Sequence, residues 1–472
     1  MSSASTQCVP PETEIASEPI VTRPATRATT TIGVHFVVDV FSFVGVSLMP
    51  LLAVTLGMGT EQKALLLALG SLCSGVVQPI VAWVSDKFDT RAVGTMGFVV
   101  AVLCIGCFGL AQNFTQLAVL YGLGAAGIGA FHPPAAAITG HLGGSKRSKY
   151  VAFFFLAGMV GGMTGNVLIP EYVAAMTPRI DGHPDTTAGL KSLLYLIPIG
   201  LACAFMLARA THGVGHRHHG AHGSHTSWDA SERRRRWFAV GVLYVTNMLR
   251  FSVNMALVYL LIEWASEYVL IKHDATMMTE RLSVEASKLN GIMQASMQVG
   301  MGGMGIVLGL ILSARFEKLA FVVIPLLGSV ALFFIPRVGA FAPGFEVPVA
   351  ILATILTGVG FGAVIPVSIS LAQRLLPHRT SLASGLMLGG AWTIAFMGPI
   401  VAELIHKGLA NKPSAPEGLV SWVAGLDERI AKPLIEGMGL QAGFTFTAGV
   451  LLVAGLIAML LPGELVRRVA RD

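Results

Sequence analysis

Charge is what this sequence has least of. Asp, Glu, Lys and Arg make up 12% of its 472 residues, about half the share carried by a soluble chain. That scarcity excludes a soluble globular protein of this size. Its 54% apolar content and mean hydropathy of +0.70 exclude disorder as an overall description, and no Gly-X-Y period suggests collagen. Cysteine is scarce as well. Five residues imply no disulfide framework. Cys104 and Cys107 have C-x-x-C spacing, but like Cys73 and Cys203 they lie in apolar runs without polar ligands, as small packing residues do. No G-x-x-x-x-G-K-[ST] loop is present, so ATP is not the expected drive. No nucleophile–base set or metal-ligand spacing stands out in the apolar stretches, so neither an enzyme nor a cofactor is expected. Residues 1–30 lack the apolar core of a signal peptide and read, through residue 31, as a disordered cytoplasmic tail.

What is present is long apolar runs. No charged residue occurs from Ala92 to Ser145, a stretch of 54 residues, and one membrane-spanning helix takes about 20. Barrel strands are about 10 residues long and alternate in polarity, which these runs do not. The pattern predicts an all-α polytopic membrane protein with twelve spans near 32–56, 64–85, 92–111, 116–140, 150–174, 189–209, 237–262, 289–313, 319–336, 347–373, 380–406 and 438–462. An even count places both ends on one side. That side would hold 20 of the 32 lysines and arginines, the other face 11, with Arg250 inside a span. The bias predicts both termini in the cytoplasm. The net charge of +6 therefore reads as an orientation signal, not as a nucleic-acid surface.

The chain divides in two. Residues 32–210 and 237–463 form six-helix halves, joined by a polar cytoplasmic linker, 211–236, that carries His212, His216, His218, His219, His222, His225 and then Arg233 to Arg236. A short tail, 464–472, closes the chain. The linker histidines could bind a transition metal, since imidazole suits such ions, but they have no rigid spacing and read more simply as solvated. The arginine run would meet anionic lipid. Gly127-Ile128-Gly129-Ala130-Phe131-His132-Pro133 is echoed by Gly360-Phe361-Gly362-Ala363-Val364-Ile365-Pro366. Arg147-Ser148 is echoed by Arg379-Thr380, and Gly161-Gly162 by Gly389-Gly390. Three matches in order at a nearly constant offset indicate duplicated halves, the plan of one large transporter class.

Twelve spans, two similar halves and a basic central loop resemble the major facilitator superfamily. Its loop signature after span two, G-x-x-x-D-R-x-G-R-R, is kept here only in part, in Asp86 and Lys87. More specific features resemble the fosmidomycin-resistance branch: His35 and Asp39 in span one, Gln78-Pro79 at the end of span two then Trp83, Asp86 and Lys87, Phe131-His132-Pro133 at the end of span four, and Ala372-Gln373-Arg374-Leu375-Leu376-Pro377 followed by Ala383-Ser384-Gly385-Leu386. The resemblance covers about residues 32–463. The tail, the histidine-rich linker and the loops after spans seven and eleven depart from it. It implies a secondary transporter with a basic residue at the place of Arg250. It also implies a charge cluster, Asp86, Lys87 and Arg91, that latches the halves and gates the cycle; plain positive-inside anchoring is the simpler reading. The glycines of span five, Gly158, Gly161, Gly162 and Gly165, lack the internal G-P of antiporters, and close helix packing accounts for them.

Ionisable groups within spans are costly and usually face a cavity. His35 and Asp39 are four residues apart, on one helix face, and could share a coupling proton; a packing hydrogen bond is the alternative. Arg250, with Asn247 and Asn254 a turn away on either side, could bind an anionic group bidentately or pair internally, with Asp39 a conceivable partner. His132 stands before Pro133-Pro134, which should break the span; it could bind substrate, relay protons or bond a local carbonyl. Gln78, Gln294 and Gln298 are weaker substrate candidates, with interhelical hydrogen bonds as their default. Residues 415–436 predict one short interfacial helix. The expected function is proton-coupled export of a small polar or amphipathic compound by a monomer in the inner membrane. The alternatives are import of an organic anion or metal on the same fold, and a non-transporting scaffold or sensor.

Overall fold

The computed structural model describes residues 23–85, 91–214, 228–410, 412 and 415–469. The expectations for Asp86, Lys87 and the histidines from His216 to His225 lie outside those residues. Among the described residues, twelve helices are long and apolar enough to cross a membrane. They are α1 (Pro24–Ser47), α2 (Thr60–Val84), α3 (Arg91–Leu110), α4 (Phe114–Leu142), α5 (Lys149–Met176) and α6 (Thr186–Thr211) in the first half. The second half has α7 (Ala230–Lys272), α8 (Glu280–Ile311), α9 (Glu317–Phe341), α10 (Glu346–Leu375), α11 (Leu386–Lys407) and α12 (Leu440–Ala458). Helices answer the demand of a bilayer that every backbone group be bonded within its own segment.

Several limits differ from those read in the sequence. Helix α1 begins at Pro24, inside the segment taken for a disordered tail, because proline at a first helical position costs no hydrogen bond. Helix α7 runs for 43 residues and starts inside the expected linker. Asp229 caps it, its Oδ1 accepting from Glu232 N at 2.6 Å and from Ser231 Oγ at 2.9 Å; these bonds hold the Asp229 carboxyl below its usual range. The arginine run is therefore the start of a helix. Arg236 bonds Glu232, reaches the carbonyls of Arg374 and Leu375, and lies over the Trp228 ring at 4.4 Å. Arg236 thus ties α7 to the end of α10, while Arg233, Arg234 and Arg235 stay exposed.

Helix α4 is not broken by Pro133 and Pro134; it continues to Leu142. Helix α3 clamps this stretch, with Gly94 so close that a Cβ there would meet Pro134 Cγ at 2.8 Å. The helices repeated in the second half are less regular. Helix α10 consists of Glu346–Gly362 and Ile365–Leu375, because Pro366 offers no N–H to the Gly362 carbonyl. Helix α11 opens with a π turn, Leu386–Gly390, and is interrupted before Met397–Lys407. The loop after it forms two short helices, Glu417–Ala424 and Glu428–Glu436, where one was expected, because Asp427 caps a second start by accepting from Arg429 N at 2.9 Å.

The halves meet firmly at the end of the bundle away from the chain termini. Asn290 of α8 donates to the carbonyls of Val46 and Ser47, at 2.8 and 3.3 Å, and Ser287 Oγ accepts from Leu51 N at 3.1 Å. Lys288 pairs with Glu171 at 2.6 Å, and Lys63 of α2 pairs with Glu263 of α7. Toward its other end α8 emerges: Asn290 is fully buried, whereas Leu310 is 81% exposed. The halves also touch toward the other end, where Thr393 of α11 donates to the Gly75 carbonyl of α2 at 3.2 Å and Gly389 lies against Pro79.

Candidate functional site

Three side chains proposed from the sequence converge near the middle of the first half. His35 and Asp39 project from α1 and His132 from α4. His35 Nε2 stands 3.5 Å from Asp39 Oδ2, and His132 Nε2 stands 3.5 Å from Asp39 Oδ1. Each imidazole is anchored by its other nitrogen. His35 Nδ1 is 2.7 Å from the Phe154 carbonyl, and His132 Nδ1 is 2.8 Å from the Ile128 carbonyl. A carbonyl oxygen only accepts, so both Nδ1 atoms carry hydrogen. In the neutral rings both Nε2 atoms then offer lone pairs, and both point at the carboxylate. His35 is also stacked on Phe154 at 3.8 Å between ring centres and touches Phe131 and His132. Ser42 Oγ donates to Asp39 at 3.3 Å. His35 is buried, while the side chains of Asp39 and His132 are 16% and 25% exposed, so the cluster is reached through those two.

Helix α5 makes room for this cluster. A Cβ at Gly158 would meet Asp39 Oδ2 and the His35 ring, and Gly161 and Gly165 lie against the α1 backbone at Phe36 and Val40. The glycines read as packing residues do pack, and one of them packs on the candidate site.

The second half buries a different charge. Arg250 is fully buried. It donates to Asn247 Oδ1 at 3.1 Å and to the Phe321 carbonyl at 3.4 Å, with its guanidinium 5.6 Å from the Phe321 ring centre. Its Nε has no partner. Asp39, conceivable as its counter-ion, faces the two imidazoles instead, and among the described residues no carboxylate pairs with Arg250. Asn247 also bonds Ser368 Oγ at 2.8 Å, which fixes the oxygen it turns to Arg250. The other candidates scatter. Asn254 reaches Met301 Sδ at 3.8 Å. Gln78 bonds Ser74 within α2 at 3.2 Å. Gln294 makes the interhelical bond expected by default, to the Val258 carbonyl at 3.0 Å. Gln298 is buried with neither amide atom bonded, opposite Gly162 of α5. Arg91 donates to the Thr211 carbonyl at 3.3 Å, at the C-terminal end of α6, where a cation is favoured.

Residues 31–399 match the sequence profile of the Major Facilitator Superfamily. The chain belongs to that superfamily. Its twelve candidate spans mark an integral membrane protein, and its family is one of transporters rather than enzymes. Among curated proteins it resembles the multidrug transporter protein MdtP of Bacillus subtilis (strain 168), with 26% identity over 144 residues. The match takes in 30% of this chain and 24% of that relative, so the chain spans about a quarter of its length. Solved structures of like fold include a bacterial homologue of the human lysosomal transporter Spinster in an inward-facing, occupied conformation. It shows a TM-score of 0.65, 14% identity, and coverage of 93% of this chain and 96% of that one. A bacterial homologue of the human drug peptide transporters PepT1 and PepT2 gives 0.64, 14%, 94% and 99%. The nucleoside transporter NupG gives 0.59, 12%, 92% and 98%. At these identities the likeness is one of fold.

A further polar cluster of this major facilitator protein escaped the sequence reading. Beside the Lys63–Glu263 pair, at the end away from the chain termini, Glu403 of α11 pairs with Lys412 and accepts from Thr60 Oγ1 of α2 at 3.4 Å. His406 approaches Tyr259 OH at 3.1 Å and Glu267 at 3.5 Å. These carboxylates sit at span ends, where charge is ordinary, so only their burial distinguishes them. Glu403 is 1% exposed.

Proposed function

We propose that this protein is a proton-coupled exporter of a small polar or amphipathic compound, of the inner membrane, with both termini cytoplasmic. The single observation that carries this reading is the convergence of two imidazole lone pairs on the Asp39 carboxylate, mid-helix, within the first half. Three acceptors facing one another call for a proton between them, and a bound proton is what a gradient can deliver. In an alternating-access cycle the site would take its proton from one side and release it to the other as the halves rock. On this orientation the Lys63–Glu263 pair and the Asn290 bonds hold the outer end shut.

Arg250 supplies the second element. An unpaired guanidinium in a helical bundle is costly, and an anionic group on the substrate would satisfy it bidentately. This favours a carboxylate- or phosphonate-bearing compound, in keeping with the resemblance to the fosmidomycin-resistance branch. It also supports the second reading, import of an organic anion on the same fold, because the cation is indifferent to direction. The partial likeness to a multidrug transporter supports export. Everted membrane vesicles energised by respiration, with the gradient read by an acridine dye, separate the two readings. Export by exchange predicts that added fosmidomycin releases protons and restores dye fluorescence only when the protein is present, while the cation ethidium gives no response. No response to fosmidomycin, with fosmidomycin taken up by intact cells instead, would favour import. A monomer is the expected working unit.

A further inference from the structure

We infer that His35, Asp39 and His132 form a binding site for a divalent transition-metal ion of the zinc class. The inference concerns the trio proposed above as the proton site, but does not require that it carry a proton.

One nitrogen from each imidazole and one oxygen from Asp39 lie within 4.8 Å of one another. Two ligand atoms bound tetrahedrally at 2.0–2.1 Å stand roughly 3.3–3.4 Å apart. Each Nε2 stands 3.5 Å from its own carboxylate oxygen, His35 from Oδ2 and His132 from Oδ1, so closing both rings on one ion needs only a small turn of the carboxylate within the 4.8 Å cluster. The 3.5 Å separation is long for a charge-assisted hydrogen bond, at about 2.7–2.9 Å, and close to the edge of a metal tetrahedron. The chemistry of the donors agrees. A metal-ligating histidine characteristically gives its other N–H to a carbonyl or carboxylate, which fixes the tautomer and aims the lone pair. Both rings do this here, through the carbonyls of Phe154 and Ile128. His35 is 2% exposed, and its Nε2 has no hydrogen-bond partner. It is a buried donor atom aimed into the cluster with nothing to bond. Two imidazoles and a carboxylate suit zinc, cobalt, nickel or copper rather than magnesium or calcium, which prefer all-oxygen cages.

Three protein ligands leave one tetrahedral position open, as in metal sites that bind a further molecule. The partly exposed edges of Asp39 and His132 place that position on the side from which the cluster is reached. The ion and the coupling proton would be alternative occupants, because each needs the same lone pairs.

The test uses the purified full-length chain in which His216, His218, His219, His222 and His225 of the linker are replaced by alanine, which removes the other obvious imidazole cluster. Calorimetric titration with Co²⁺ should show one tight equivalent, and the bound ion should give visible absorption bands of a low-coordinate site. Asp39→Asn and His132→Gln should each weaken that equivalent by at least about 10–100-fold, the range seen when even supporting residues of metal sites are changed, and should abolish the bands. Thermal melting without metal checks that the variants fold. Independently of any substitution in the trio, X-ray absorption of the bound ion should report two imidazoles and oxygen ligands at about 2.0–2.1 Å. Unchanged affinity and bands in both folded variants would overturn the inference, as would an absorption shell with more imidazoles or with sulfur. Proton-coupled transport without ion binding would sink this proposal and leave the proton reading intact. Ion binding with transport indifferent to Asp39 would do the reverse.

Discussion

The two halves share a scaffold and differ in how they bury charge. In the first, Asp39 lies between His35 and His132, so the charged group and its partners come from the same half. In the second, Arg250 has an amide and a carbonyl and, among the described residues, no carboxylate. The contrast extends to the helices that pack against each site. Counting three residues back from the repeated glycine pairs gives Gly158 in one half and Leu386 in the other. Gly158 leaves the space that the His35–Asp39 pair occupies, whereas Leu386 opens the π turn of α11. On one common frame, the first half holds a self-contained ionisable cluster and the second, among the described residues, a cation without a carboxylate.

Three variants would break or sharpen this contrast. The largest effect on stability is expected where the halves are joined. Lys63→Met strands Glu263, whose side chain is 6% exposed, and should destabilise the protein by about 3–5 kcal/mol, read by thermal unfolding of the purified transporter. Adding Glu263→Gln should recover most of that loss; an undiminished deficit in the double variant would show that the pair does not act as a unit. Next is Arg250→Met. If the guanidinium waits for an anion, removing a charge-assisted contact of about 1.5–3 kcal/mol should raise KM for an anionic substrate about 10–100-fold, with folding retained. An unchanged KM would make Arg250 a packing residue and erase the contrast. The smallest is Gly158→Ala, whose methyl would crowd His35 and Asp39 and should cost about 1–3 kcal/mol. Gly241→Ala, with no heavy atom within 4 Å of its Cβ position, serves as the control in the other half and should be neutral or slightly stabilising.

The frame was largely legible in the sequence. Twelve charge-poor runs set the spans, and ordered repeats showed the duplication, because hydropathy and glycine spacing are local signals. His35 and Asp39 were legible as a pair because four residues make one helical step, and His132 because it precedes a proline pair within a span. Its convergence on Asp39 was not legible, since it depends on how α4 packs against α1. Pro133 and Pro134 suggested a break that the clamp from α3 prevents. The length of α7 was hidden because its first turns are too polar to resemble a span, and Lys63 and Glu263, 200 positions apart, gave no sign of meeting. For Arg250 the sequence left an internal ion pair open; that no carboxylate meets it among the described residues is visible only in the packing.

The central claim is that Asp39, between its two imidazoles, is where gradient and substrate are coupled. The most direct measurement compares the wild type with Asp39→Asn in everted vesicles, following substrate-dependent proton release by dye fluorescence alongside substrate binding to the purified proteins by thermal shift. The account predicts that Asp39→Asn still binds substrate and loses gradient-driven transport altogether. Proton-coupled transport by Asp39→Asn at the wild-type rate would contradict it.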